Sequence, residues 1–140
     1  KCLRLSETEY YYGEIKKFHN SSGTLENMRD GKGVQIFLDK FSDNVKKYEG
    51  SFHKNNREGE GLCIYSKSSF YFGYFHSNNR NGRGFMEFES GDIYEGSWKN
   101  GEFEGSGKFR RKDGKLFEGE FSKGLFLNVK NHFLFRKRIF

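Results

Sequence analysis

Residues 94–109 read YEGSWKNGEFEGSGKF. Tyr94, Gly96 and Trp98 alternate with Glu95 and Ser97, the period-two pattern of a strand with one face turned inward. Lys99-Asn100-Gly101 follows, and Asn-Gly is among the strongest short signals for a two-residue hairpin turn. A second run then carries Gly105-Ser106-Gly107. Glycine inside a strand gives up packing, but it lets a neighbouring ring lie flat over the backbone. The stretch therefore predicts one β-hairpin in which aromatic rings and glycines belong together.

The same string recurs through the chain. Tyr48-Glu49-Gly50-Ser51-Phe52, Tyr71-Phe72-Gly73-Tyr74-Phe75, Tyr94-Glu95-Gly96-Ser97-Trp98 and Phe117-Glu118-Gly119-Glu120-Phe121 start 23 residues apart. Gly59-Glu60-Gly61, Gly82-Arg83-Gly84 and Gly105-Ser106-Gly107 keep the same 23-residue step. A divergent first copy runs from Tyr11-Tyr12-Gly13-Glu14-Ile15 to Gly31-Lys32-Gly33, with extra residues within FHNSSGTLENMRD and around DKFSDNVKK. Surface loops tolerate insertions better than strands do, so these additions are expected to be loops. A single hairpin is marginal in water, and stacked neighbours must complete its core.

The pattern Tyr-Glu-Gly-x-Trp-x-Asn-Gly-x-x-x-Gly-x-Gly, as it stands from Tyr94 to Gly107, closely resembles the MORN repeat. The resemblance covers roughly residues 11–127 and is clearest in the third to fifth copies. Ile15 replaces the second aromatic in the first copy, and the second and third copies lack the Asn-Gly turn. It implies an all-β fold, an elongated antiparallel sheet of successive β-hairpin repeats with an atypical C-terminal capping segment. Ten strands at ~4.8 Å would extend to roughly 50 Å. The expected organisation is an array over 1–127, with repeats at about 11–47, 48–70, 71–93, 94–116 and a partial one at 117–127, then a basic-aromatic cap or tail over 128–140. The resemblance further implies a non-catalytic scaffold in the cytoplasm, associated with cytoskeleton or membrane and mediating protein–protein interaction. Such arrays also stand beside catalytic domains, notably SET methyltransferases and phosphoinositide kinases, so an accessory region of a larger enzyme is the alternative.

Composition agrees with a sheet built from rings. The chain holds 17 Phe, 8 Tyr and 1 Trp among 140 residues, with 18 Gly and no Pro. Much of the net charge of +6 is local, because residues 124–140 carry Lys130, Arg136, Lys137 and Arg138 without an acid. Elsewhere acids and bases mingle, unlike the basic stripe of a nucleic-acid binder, so no nucleic-acid partner is expected. Cys2 and Cys63 form no Cys-x-x-Cys pair, and His19, His53, His76 and His132 lack metal-ligand spacing, so neither metal nor cofactor is expected. No apolar run approaches the ~20 residues that span a bilayer. The sequon Asn20-Ser21-Ser22 stands alone as a hint of secretion. Gly105-Ser106-Gly107-Lys108 fails as a phosphate loop, since Glu102 stands at the first glycine and Phe109 at the Ser/Thr. No nucleophile-and-base set is evident, and no catalytic residue is assigned.

Strand alternation divides the array into two faces. Gln35, Cys63, Met86 and Phe109, with Phe37, Tyr65, Phe88 and Arg111, are expected on the core side. On the opposite side Tyr12, Val34, Ile36, Leu62, Ile64, Phe72, Tyr74 and Phe85 form an apolar set that later copies replace with Glu95, Ser97, Lys108, Glu118 and Glu120. An apolar patch of that size needs a cover. The candidates are the chain's own loops or tail, a second copy, or a partner segment. In the tail, LFLNVKNHFLFRKRIF, the apolar side chains at 125, 127, 129, 133, 135 and 139 share a parity that favours a strand over a capping helix. Arg136, Lys137 and Arg138 there are the candidate contact to anionic lipid, at about 1 kcal/mol per cation.

Overall fold

The computed structural model describes residues 2–38, 45–128 and 135–137, with the backbone alone for 128 and 135–137. The first part contains β1 (Cys2–Arg4), β2 (Glu9–His19) and β3 (Leu25–Phe37). The regular array follows as β4 (Lys47–His53), β5 (Asn56–Ser66), β6 (Ser69–His76), β7 (Asn79–Glu87), β8 (Ile93–Lys99), β9 (Glu102–Arg110) and β10 (Leu116–Ser122). It ends with β11 (Leu125–Asn128) and β12 (Phe135–Lys137). All twelve lie in one antiparallel sheet in sequence order, and no helix occurs among the described residues. Two strands exceed the ten expected, one at each edge, and the tail continues the sheet instead of capping it with a helix.

Every regular hairpin closes the same way. The central turn residues are Lys54-Asn55 (φ 45° and 72°), Ser77-Asn78 (47° and 69°), Asn100-Gly101 (51° and 84°) and Lys123-Gly124 (48° and 74°). Positive φ at both positions defines the type I′ turn, whose twist matches the flanking strands. Asn55 and Asn78 take the conformation that Gly101 and Gly124 adopt more easily, which is how the two copies without Asn-Gly keep the turn. Within two residues of each strand glycine the register slips, between Gly50 and Phe52, Gly73 and Phe75, and Gly96 and Trp98. The two extra residues opposite are accommodated by a positive-φ glycine such as Gly59 (φ 80°), and such bulges raise the local twist.

The first copy departs from expectation. Its insertion was expected to be loop, yet Lys17, Phe18 and His19 pair with Asn27, Glu26 and Leu25, lengthening the hairpin and leaving a short turn at its tip. The inserted residues satisfy their backbone groups by prolonging the ladder, which a loop of equal length could not do. Asn20 organises that tip, its Oδ1 accepting from the backbone N–H groups of Ser22 and Thr24 at 3.0 and 2.9 Å.

A column of glycines crosses the sheet. Gly13, Gly33, Gly50, Gly61, Gly73, Gly84, Gly96, Gly107 and Gly119 each face the next on the neighbouring strand. On one side of this column lie Tyr11, Tyr48, Tyr71 and Tyr94, all fully buried. Their hydroxyls donate to the carbonyls of Glu14, Ser51, Tyr74 and Ser97 at 2.9, 2.9, 3.0 and 2.9 Å. The rings join into a zipper of edge contacts: Tyr48 meets Phe52 at 5.0 Å and Phe75 at 5.1 Å, Tyr71 meets Phe75 at 5.2 Å and Trp98 at 5.1 Å, and Tyr94 meets Trp98 at 5.2 Å and Phe121 at 5.1 Å. Each tyrosine thus binds its own hairpin to the next one, at about 0.5–1.5 kcal/mol per ring pair beyond area burial.

From Gly13 to Gly107 a methyl group on this column has no room. At Gly96 it would stand 2.6 Å from Tyr94 Oη and from the Gly107 Cα, so backbone as well as ring must move. Gly96→Ala is expected to cost about 3 kcal/mol, seen as a lower urea midpoint. Gly114→Ala, at φ +87° in open space, should cost only the left-handed penalty of about 1–2 kcal/mol. Equal midpoints for the two variants would contradict this account of the column.

Candidate interaction surface

On the side of the glycine column away from the tyrosines, cross-strand registry builds a row of side chains: Tyr12, Val34, Glu49, Leu62, Phe72, Phe85, Glu95, Lys108 and Glu118. A parallel row places Ile36, Lys47, Ile64 and Phe70 side by side. Tyr74 stands opposite Glu60 on the far side of the column. All eight apolar residues anticipated on this face are therefore brought together, on β2 to β7. Tyr12, Phe72 and Tyr74 are 47%, 54% and 48% exposed, while Val34, Ile36, Leu62, Ile64 and Phe85 are half-buried. Phe70 stacks on Phe85 at 5.8 Å.

Between the rows the surface sinks. Three adjoining depressions share Glu60 and Phe72, then Arg83 and Glu95, and their floors are the column glycines. The trench is apolar at Val34, Leu62, Phe72 and Phe85 and charged beyond them at Glu95, Lys108, Glu118 and Glu120. Lys108 pairs with Glu118 at 3.0 Å and Lys47 with Glu49 at 2.7 Å, both in solvent, where such pairs contribute little. The surface is a long open channel whose charged end gathers Arg83, Glu95, Lys108, Glu118 and Glu120 in one shallow depression.

The opposite face holds the core. Cys63 and Phe109 are fully buried, Gln35 and Met86 nearly so, and Phe37, Tyr65 and Phe88 pack partly against them. Arg111 is exposed instead of joining this set, and pairs with Asp113 at 3.5 Å. A row of arginines at repeat-equivalent positions was not anticipated. Arg29 lies 5.2 Å from the Phe52 ring centre, Arg57 5.7 Å from Tyr48 and Arg80 4.5 Å from Trp98, capping the rings by cation–π attraction. Phe103 and Phe126 stand at the same step in later copies, and Phe103 stacks on Tyr94 at 3.8 Å. The signal was the 23-residue spacing of Arg57 and Arg80, masked because aromatic residues take over the position.

Each turn also docks on the preceding hairpin. Asn55 N–H donates to the Arg29 carbonyl at 2.9 Å while Arg29 N–H donates to Asn55 Oδ1 at 2.8 Å. Asn78 and Arg57 repeat the exchange at 3.1 and 2.8 Å, and Gly101 and Gly124 keep the backbone half, to Arg80 and Phe103. Carboxylates reinforce it. Asp30 accepts from Lys16 Nζ at 2.6 Å and the Lys54 N–H at 3.3 Å and contacts His53 Nδ1 at 2.9 Å. Glu58 accepts from the Ser77 N–H at 2.9 Å and contacts His76 Nδ1 at 2.8 Å. His53 and His76 are thus turn-docking residues, and no cluster able to hold a metal occurs among the described residues.

Arg136 and Lys137 belong to β12, while Val129, His132, Phe133, Arg138 and Ile139 lie outside the described residues. Among the described residues no helix is long and apolar enough to cross a membrane. A family model for the MORN repeat matches residues 25–39, 48–70, 71–93 and 94–115. A comparison with curated proteins finds no match.

Hydrogen bonds from Lys16 first, then the Lys54 backbone and His53, hold Asp30 below the ordinary carboxylate range, and the Ser77 N–H with His76 lowers Glu58. Both folded values lie below the unfolded ones. The stabilisation is therefore complete above the ordinary carboxylate range and vanishes as pH falls through the lowered values. An Asp30→Asn/Glu58→Gln variant should flatten the melting-temperature profile below about pH 4; a profile merely displaced, with unchanged slope, would refute the assignment.

Proposed function

This chain belongs to the MORN-repeat family, and from that premise we propose that it is a non-catalytic scaffold that binds a protein segment on the outer face of its sheet. The observation that supports this is the exposure of Tyr12, Phe72 and Tyr74 on one face, against every described segment. Isolated apolar residues at a surface are ordinary, but here they share a face with Val34, Ile36, Leu62, Ile64 and Phe85 on β2, β3 and β5 to β7, with Lys47 and Glu49 of β4 between. Covering them would return about 25 cal/mol per Å² of apolar surface, offset in part by the cost of association.

The fold supports such a role because the core face supplies the stability. Replacing Leu62 or Phe72 changes what the sheet presents without touching the tyrosine zipper. A partner protein and a second copy of the chain are both served by this surface. The reading places the molecule in the cytoplasm, beside cytoskeletal or membrane structures. Attraction to anionic lipid through Lys130, Arg136, Lys137 and Arg138 is the second reading, supported by the absence of any acid from residues 124–140.

Photo-crosslinking from position 72 identifies what covers the face, and light scattering over a concentration series separates self-association from a different partner. Leu62→Asp/Phe72→Asp should weaken the crosslinked association by about tenfold or more with circular dichroism unchanged; undiminished association by a folded variant rejects the reading. Sedimentation with liposomes of rising acidic lipid content addresses the tail. Binding that falls when Arg136, Lys137 and Arg138 become Gln would sustain the lipid contact, and indifference to lipid charge would dispose of it.

A further inference from the structure

Arg57 and Arg80 occupy equivalent positions in consecutive repeats, on the aromatic side of the sheet and independent of the outer face. Both line a cavity of about 250 Å³ together with Tyr65, Asn78 and Asn79, backed by Phe75 and Met86. No acidic residue lines it. Among the described residues neither guanidinium has a carboxylate partner, whereas Arg29, the first of the row, pairs with Glu9 at 3.5 Å. The acceptors shown for Arg57 and Arg80 are uncharged: Cys63 Sγ at 3.7 Å, Met86 Sδ at 3.7 Å and the Gly101 carbonyl at 2.9 Å.

The two guanidiniums, half-buried against an apolar wall, share a cavity whose lining offers no counter-charge, and an anion of matching charge supplies it. A chloride or a single carboxylate carries half the charge required. A phosphate monoester carries about −1.5 to −2 at neutral pH, and its oxygens fit the forked donors of arginine. Burial pushes the Tyr65 phenol up to about 12, so its hydroxyl remains a donor. Asn79 adds an amide at the rim.

We propose that this cavity binds a doubly charged oxyanion of the phosphate class, held by Arg57 and Arg80 with Tyr65 and Asn79 as supplementary donors.

Inorganic phosphate and glycerol 3-phosphate are titrated separately into the purified chain, with sodium chloride at matched ionic strength as reference. Melting temperature and the arginine Nε–Hε resonances are followed. Phosphate should raise the melting temperature and shift the Arg57 and Arg80 resonances, leaving Arg29 in place. Arg57→Met and Arg80→Met keep an apolar stem beside the rings but remove the guanidinium, and should each weaken binding by about tenfold or more. Asn79→Asp places a fixed carboxylate in the cavity; it should raise the melting temperature in chloride and abolish most of the phosphate response. A tighter response to the ester points to a phosphorylated molecule or headgroup, an equal one to free phosphate, and both sustain the site. The proposal is overturned if chloride reproduces the phosphate effect, or if either methionine variant folds and binds phosphate as tightly as its parent.

Discussion

The structure depends on a tyrosine ring lying flat across two facing glycines. Tyr48 covers Gly50 and Gly61, Tyr71 covers Gly73 and Gly84, and Tyr94 covers Gly96 and Gly107, each ring anchored by its hydroxyl to a carbonyl three residues on. A single-layer sheet ordinarily has nothing with which to bury its apolar face. Here the ring buries itself against its own backbone, and its remaining edges are closed by the aromatic of its own hairpin, that of the next and an arginine or phenylalanine beside it. The glycines are thus part of the core, as the surface on which it is laid.

Because one face carries the packing, the other is released from it. Residues of the outer rows meet only their cross-strand neighbours, so their identity can change from Phe72 and Phe85 to Glu95 and Lys108 without altering registry. The sheet therefore resembles a ruled board: spacing and direction are set by the column of glycines, while what is written on the rows differs from repeat to repeat. Docking of each turn on the previous hairpin, through Asn55 on Arg29 and Asn78 on Arg57, adds rigidity that an isolated ladder would lack.

Much of this was legible from residue order. Aromatic-x-Gly-x-aromatic in strict phase indicated hairpins, and alternation separated Tyr94 and Trp98 from Glu95 and Ser97 as the burial pattern does. What escaped had physical reasons. Residues 17–19 and 25–27 look like an insertion in the repeat frame, yet backbone groups in pairs are better satisfied by a longer ladder than by a loop. The arginine row was hidden because cation–π capping and ring stacking are interchangeable solutions at one position, so Arg80 and Phe103 do not look alike. Arg111 follows core spacing but stands where the ring zipper no longer needs a cover, and its charge stays in water. The trench is a property of rows on separate strands, which no single stretch of sequence displays.

Sequence neighbours are also spatial neighbours throughout this sheet, from β1 to β12 without a crossover. Tension applied between the two ends would meet the strands side-on and open their hydrogen bonds one pair at a time, as a zip fastener opens. Each step would also have to part the ring contacts and turn docking that tie one hairpin to the next, so the load falls on one repeat at a time.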